Sequence, residues 1–423
     1  MDAITHNQIT FFIPGDRDPH FGLEGVITLF ELKHALDTDR HVKGFTVLAD
    51  DKILVSAWLA RDLKGIYGLA RFNPDGSVDT SFADMGLAQG NFADGYDSTG
   101  GQLAVQDDGH IIMLGWSREV DVYSPKRLVI ARFDINGLVD RSFGEQGCVV
   151  IENSALGELV DDSSTLQLLA DGTILVSATY LKGDTSSGLV LRVDTRGNLD
   201  KSFNKTGQLE INHQAFSSLS VTAIRVQADN TILVAGSARR SPSETQGYVA
   251  RYSHTGELDT NFGGTQTPGF SLVNIPNGTV IFHELIDTAA GNVVGIGQAS
   301  SGQRNWGLLV GFDTTGNPFP EFNQGRPVLT SFNADHGNEW VCATRQADGS
   351  IITAGGSSRL YIARYLANGS VDRSFGQNGC IQEDTQLVTT PALLQTQATG
   401  RILLAGNTLG LGGALGHVYG YQG

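Results

Sequence analysis

The side chains of this 423-residue chain that could do chemistry are carboxylates and imidazoles with aromatic neighbours. They lie in segments that do not repeat: His34, Asp37, Asp39 and His41; Asp94, Tyr96 and Asp97; Asp161 and Asp162; His213; His283 and Glu284; and Asp335, His336, Glu339 and Trp340. Carboxylates beside imidazoles hold cations, and a Tyr or Trp ring offers a sugar or a basic peptide an amphipathic face. The expected ligand-binding set is Tyr96, Asp97, Asp161, Asp162, His213, His283, Asp335, His336, Glu339 and Trp340. The competing reading is a solvated acidic rim with no dedicated ligand, since most surface charge is only surface.

Catalytic signatures do not accompany these residues. The sequence has no Gly-x-Ser-x-Gly elbow, no His-Glu-x-x-His, no Walker loop and no Cys-x-x-Cys. The stretch Asp335 to Trp340 lacks the second histidine of a zinc site, so no catalytic residue and no metal ligand is assigned. A second set of charges does repeat: Asp18, Asp79, Asp140, Asp200, Asp259 and Asp372, with Arg71, Arg132, Arg192, Arg251 and Arg364. Calcium needs six to eight converging oxygens, and each copy offers one or two carboxylates. These Asp residues are expected to cap loop N–H groups and pair with the repeated Arg. Cys148, Cys342 and Cys380 are too few and too scattered for a disulfide framework and are expected to be free.

The elements that must position these groups come from an internal repeat. A turn followed by an apolar run recurs at Ala49-Asp-Asp-Lys-Ile-Leu-Val, Asp107-Asp-Gly-His-Ile-Ile-Met, Ala170-Asp-Gly-Thr-Ile-Leu-Val, Ala228-Asp-Asn-Thr-Ile-Leu-Val, Ala289-Ala-Gly-Asn-Val-Val-Gly, Ala347-Asp-Gly-Ser-Ile-Ile-Thr and Ala398-Thr-Gly-Arg-Ile-Leu-Leu, about 51 to 63 residues apart. Asp-Gly between apolar runs predicts a type I′ hairpin turn. A second signature follows, as in Leu69-Ala-Arg-Phe to Asp79-Thr-Ser-Phe82 and Ile130-Ala-Arg-Phe to Asp140-Arg-Ser-Phe143, with buried Phe expected at 82, 143, 203, 262 and 375. The fifth copy is degenerate, with Gly311 for the Arg and Phe319 for the Asp.

Each repeat reads as four strands, here called a to d. The expected fold is all-β, a seven-bladed β-propeller of four-stranded antiparallel blades, because radial packing covers both faces of every sheet. The blades fall at about 43–91, 102–151, 165–212, 221–275, 283–332, 339–385, and 391–423 plus 9–30. The last repeat stops after its third strand. Gly15 to Phe21 matches the missing loop and Gly25 to Leu29 the missing strand, so the N-terminal segment is expected to close the last blade. Small residues late in strand b, such as Ala235-Gly236 and Ala354-Gly355, are expected to relieve crowding between blades. The signature Arg-Phe-x-x-x-Gly-x-x-Asp-x-Ser-Phe-Gly, as in Arg132 to Gly144 and Arg364 to Gly376, resembles the delta-60 repeat family over essentially the whole chain. That resemblance implies a bacterial propeller and implies no activity.

Charge narrows the function. The net charge of −16 and the absence of a basic patch exclude nucleic acid and anionic membranes as expected partners. No apolar stretch is long enough to span a bilayer, and no basic and apolar leader opens the chain, so the expected location is the cytoplasm, with signal-less secretion left open. The expected function is a non-enzymatic binding or protein-interaction scaffold that uses the variable loops and the channel mouth for a protein, peptide or carbohydrate. The alternative is a propeller hydrolase or lyase acting on a carbohydrate or small molecule. No cofactor is expected, with a channel-bound divalent cation as the open alternative.

Overall fold

The structure is a computed structural model that describes residues 13–29, 32, 40–61, 64–92, 97–119, 123–152, 154–160, 163–241, 244–288, 291–332, 337–356, 359–383, 393–410 and 413–423. Within these the regular structure is all β-strand apart from two single 3-10 turns at Ser154–Leu156 and Asn323–Gly325. No described helix is long and apolar enough to cross a membrane.

The strands pair in sequence order as antiparallel four-strand units. The first unit is Arg40–Val47, Ile53–Arg61, Lys64–Phe72 and Leu87–Gly90, and the second is Asp97–Val105, Ile111–Arg118, Arg127–Phe133 and Cys148–Ile151. The third to sixth open on Thr165–Leu168, Ser218–Val226, Gly278–Asp287 and Cys342–Arg345. The last unit holds Leu393–Thr396, Ile402–Gly410 and Gly413–Tyr421, and its fourth strand is Val26–Thr28 from the other end of the chain. Val26 pairs with Tyr419 and Thr28 with His417, in the place expected from the Gly15 to Leu29 match.

The hairpin turns between strands a and b differ from expectation. Gln106 N–H bonds the His110 carbonyl and Gly109 N–H the Gln106 carbonyl, with Gly109 at φ 87° as the one left-handed residue of that turn. This is a type I turn closed by a left-handed residue. A type I′ turn would need two such residues. The Asp108 carboxylate accepts the His110 N–H and fixes the turn instead.

Each apolar core lies between two units. Ile112, Ile130 and Phe143 of the second unit pack on Ile174, Val176 and Leu191 of the third. Ile352, Ile362 and Phe375 of the sixth pack on Leu404, Tyr419 and Tyr421 of the last. Leu403, Ala405 and Val418 of the last pack in turn on Val42, Phe45 and Val55 of the first.

The repeated loop pins these seams. Arg132 Nε donates to Asp140 Oδ2 at 2.7 Å, and its guanidinium lies 4.7 Å from the centre of the Phe143 ring. Its Nη1 reaches the next unit at the Thr195 carbonyl, 2.7 Å away. Asp140 Oδ1 accepts the Ser142 N–H and hydroxyl. The same set recurs at Arg71, Arg192 and Arg251. Phe82, Phe143, Phe203, Phe262 and Phe375 are all buried. The last unit has Gly420 where all the others but the fifth have Arg, and Arg401 substitutes for it. Arg401 bonds Asp18 at 2.6 Å, lies over Phe21, and donates to the Pro74 carbonyl of the first unit.

A backbone bond accompanies each loop. Ala83 N–H bonds the Asn136 carbonyl, Gly144 that of Arg196, Asn204 that of Thr255, Gly263 that of Thr315 and Asn323 that of Asn368. The N-terminal segment takes the remaining two places: Gly376 N–H bonds the Pro14 carbonyl at 2.9 Å, and Gly22 N–H the Asp75 carbonyl at 2.7 Å.

The first strand of several units is bulged, with register shifts between Val42 and Gly44, Gly100 and Leu103, Val221 and Ala223, and Phe282 and Glu284. A bulge leaves ladder groups unpaired, and the preceding unit supplies their partners. Thr179 Oγ1 accepts the Val221 N–H and donates to its carbonyl. Asn407 of the last unit does the same for Val42 of the first. Of the small residues late in strand b, Ala235 and Ala354 lie in apolar clusters shared with the next unit, while the glycines make room for the first strand of their own unit. A Cβ on Gly236 would fall 2.0 Å from the Ser220 carbonyl oxygen of its own unit, and one on Gly355 as close to that of Glu339.

All three cysteines are free and buried. The seam packing predicts that Phe143→Ala costs about 3–5 kcal/mol, as other large-to-small core changes do. Urea unfolding of the variant measures this, and a loss below about 1 kcal/mol would contradict the seam role of the ring.

Candidate functional site

A cavity of about 630 Å³ lies among the first strands of the units, which contribute Val42, Gln102, Leu166, Ala223, Ile286, Ala343 and Leu394 to its wall. Side-chain amides on these strands also tie neighbours together. Gln102 Oε1 accepts the Leu166 N–H at 3.0 Å, Gln167 the Val226 N–H at 2.8 Å, and Gln395 of the last unit the Val47 N–H of the first at 2.8 Å.

The charged and titratable lining comprises Lys43, Arg225, His283, Glu284, Asp287 and Arg345, together with Cys342. His283 sits at the bulge of the fifth unit's first strand. Burial pushes its imidazole down to about 4, so it is neutral at physiological pH. Next to it, burial raises the Glu284 carboxyl above the usual carboxylate range, opposed in part by Arg225 and the Leu285 N–H. The Cys342 thiol is also pushed well up by burial and by Glu284, which leaves it protonated and inert. Arg225 and Asp287, on consecutive units, are ion-paired at 2.8 Å. Among the described residues no three His, Cys, Asp or Glu side chains gather in a way that could hold a metal ion. The lining can therefore hold polar groups and donate or accept protons at His283 and Glu284.

Only part of the expected set lies here. His283 lines the cavity with Glu284 beside it, whereas Tyr96, Asp161, Asp162, Asp335 and His336 lie outside the described residues. Trp340 was expected at an exposed rim and is fully buried. Its indole N–H donates to Tyr365 Oη at 3.0 Å, and it fills the space over Gly307, so it is seam packing between the fifth and sixth units. Asp97 is likewise buried: one oxygen accepts the Gly65 N–H at 2.6 Å and the other bonds Arg118 at 2.5 Å. Its removal would leave the buried Gly65 N–H without its acceptor. His213 is half-buried away from the cavity, accepting the Ala215 N–H and packing edge-on against Phe270. Glu339 is half-buried near the Trp340 seam, and burial raises its carboxyl.

The residues missed from sequence are Lys43, Arg225, Asp287 and Arg345, since they lie on inner strands and not on variable loops. For Asp287 and Arg345 the signal was a broken repeat: the position before the turn is Val47, Val105, Leu168 and Val226 in the first four units, but Asp287 and Arg345 in the fifth and sixth.

Three segments, 48–82, 227–262 and 346–375, match the family model described as "Domain of unknown function (DUF5122) beta-propeller". No curated protein matches the chain by sequence. Among solved structures, the polysaccharide lyase Uly1 superposes with a TM-score of 0.53 at 10% identity, over 90% of this chain and 90% of that one. The Trypanosoma rangeli sialidase in complex with DANA gives a TM-score of 0.41 at 8% identity, over 80% of this chain and 56% of that one. The PQQ-bound aldose sugar dehydrogenase of Streptomyces coelicolor gives 0.40 at 12% identity, over 75% and 92%. The lyase comparison supports an all-β, propeller-like fold; the other two scores are too low to carry an argument.

The two cavity groups predict opposite pH effects. His283 is depressed from 6.5 to about 4, so the stability tied to its neutral form is present above 6.5 and lost as pH falls through about 4. Glu284 is raised, so it costs stability as pH rises through its folded value. Melting temperatures should therefore fall less steeply in acid for His283→Gln than for the parent, and Glu284→Gln should melt higher at neutral pH. His417, also depressed to about 4, keeps a residual acid loss in both variants. Parallel acid profiles for parent and His283→Gln would contradict the burial of this imidazole.

Proposed function

We propose that the chain is a closed, seven-bladed β-propeller of the delta-60 repeat type, and that it works as a binding module whose saccharide or other small polar ligand enters the central cavity. Support for closure is the agreement of the last-to-first seam with the internal ones: the Gln395, Asn407 and Arg401 contacts have the same form as those of Gln167, Thr179 and Arg132. The blades are those expected from the repeat, with the last completed by the N-terminal strand.

The observation that carries the binding reading is the concentration of charge on consecutive inner strands of the cavity, with Asp287 and Arg345 at a position that is Val or Leu in the first four units. A fold built from near-identical repeats does not need that asymmetry, whereas recognition of one ligand does. Charge spent where Val or Leu suffices points to a ligand.

A second reading is an enzyme acting on a carbohydrate. It is favoured by the neutral His283 beside a Glu284 held towards its acid form, a combination suited to proton transfer, and by the likeness in fold to a polysaccharide lyase.

One experiment separates the two. A panel of oligosaccharides is screened for a rise in melting temperature, and each ligand found is incubated with the protein and followed by mass spectrometry. Binding without cleavage supports the module. Cleavage that disappears in Glu284→Gln supports the enzyme. A panel that neither binds nor is cleaved contradicts the saccharide reading.

A further inference from the structure

The cavity reverses the charge balance of the chain. Acidic residues outnumber basic ones by 45 to 29 overall, yet Lys43, Arg225 and Arg345 line the cavity against Glu284 and Asp287. Asp287 is committed to Arg225. Glu284 lies at the bulge of the fifth unit, where burial raises its carboxyl above the usual carboxylate range.

Arg345 is the informative group. It ends the sixth unit's first strand, directly before the turn, and is exposed. Among the described residues it has no ion-pair or hydrogen-bond partner. Val47, Val105, Leu168 and Val226 occupy the same repeat position in the first four units, so the backbone there does not require a cation. Together with Arg225 and Asp287 it places charge on three consecutive inner strands at one end of the cavity. The Arg225–Asp287 pair orients one guanidinium, and Arg345 leaves a positive charge in excess. Guanidinium forks match carboxylates in shape as well as charge.

We infer that the cavity takes an acidic saccharide, whose carboxylate is held by Arg345 and Arg225 at the turn-side end. This rests on the proposal that a saccharide enters the cavity, and it names the chemical class.

Isothermal titration of the full chain tests it, with trisaccharides of glucuronate, galacturonate and mannuronate set against their neutral counterparts. Acetate and sulfate serve as anion controls. Arg345→Val is the chosen variant because valine stands at the equivalent position of other units; its melting temperature shows whether the fold is intact, and Arg225→Gln is the second variant. The expected result is that a uronate binds at least about tenfold more tightly than its neutral counterpart, weakens as salt rises, and loses about tenfold in Arg345→Val, the worth of one charge-assisted contact. Neutral sugars binding as tightly as uronates, or an unchanged uronate affinity in a folded Arg345→Val, would overturn the inference while leaving saccharide binding standing. Acetate or sulfate binding as tightly as the uronate would reduce the site to a simple anion site and overturn it too. Failure of both acidic and neutral sugars to bind the parent protein would overturn the saccharide reading along with the inference.

Discussion

A four-stranded antiparallel sheet has two faces to cover, and in this chain each face is covered by the neighbouring unit. The apolar clusters therefore straddle units, pairing second with third, sixth with last, and last with first. Every other regular feature serves that sharing. The Arg, Asp and Ser of the repeated loop hold one another and reach the next unit's carbonyl, while the loop Phe is driven into the seam. Burying a Phe stabilises by about 1.5–3 kcal/mol, and the loop repeats this at seam after seam.

The same constraint shapes the cavity. Inner strands that converge must bend, and bulges bend them. Each bulge leaves an N–H and a carbonyl that cannot remain unpaired. Thr179 and Asn407 meet that need from the preceding unit, and Gly236 makes room for the bulge within its own unit. The bulge of the fifth unit falls at His283, so one device both curves the strand and sets this imidazole beside Glu284 in the cavity wall. Scaffold and candidate site are built from the same strands.

Much of this was legible in the residues. The turn and loop repeats gave the strands; the loop match at Gly15 to Phe21 gave the transfer of Val26–Thr28 to the last unit; the equal spacing of Arg and Asp gave their pairing. The failures share a cause. Trp340 and Asp97 stand in non-repeating segments, and sequence cannot distinguish an exposed loop residue from one that plugs a seam. Gly307, far away in sequence, is what admits the Trp340 ring. The cavity charges were hidden differently. Asp287 and Arg345 stand at a strand position that is Val or Leu in the first four units, and their meaning appears only when the inner strands of successive units are set side by side around the cavity with Arg225. Looking for loops that vary missed the strand positions that break the repeat.

The central claim is that the seam between the last and first units is equivalent to the internal seams. Amide hydrogen exchange at matched positions measures this directly. The Val47 N–H, held by Gln395 across the last-to-first seam, is compared with the Val226 N–H, held by Gln167 across an internal one. The Val26–Thr28 strand is compared in the same way with Cys148–Ile151, the fourth strand of the second unit. The account predicts similar protection at the members of each pair, because one cooperative structure opens as a whole. Val47 and Val26–Thr28 exchanging at the rates of frayed ends, while Val226 and Cys148–Ile151 stay protected, would contradict it.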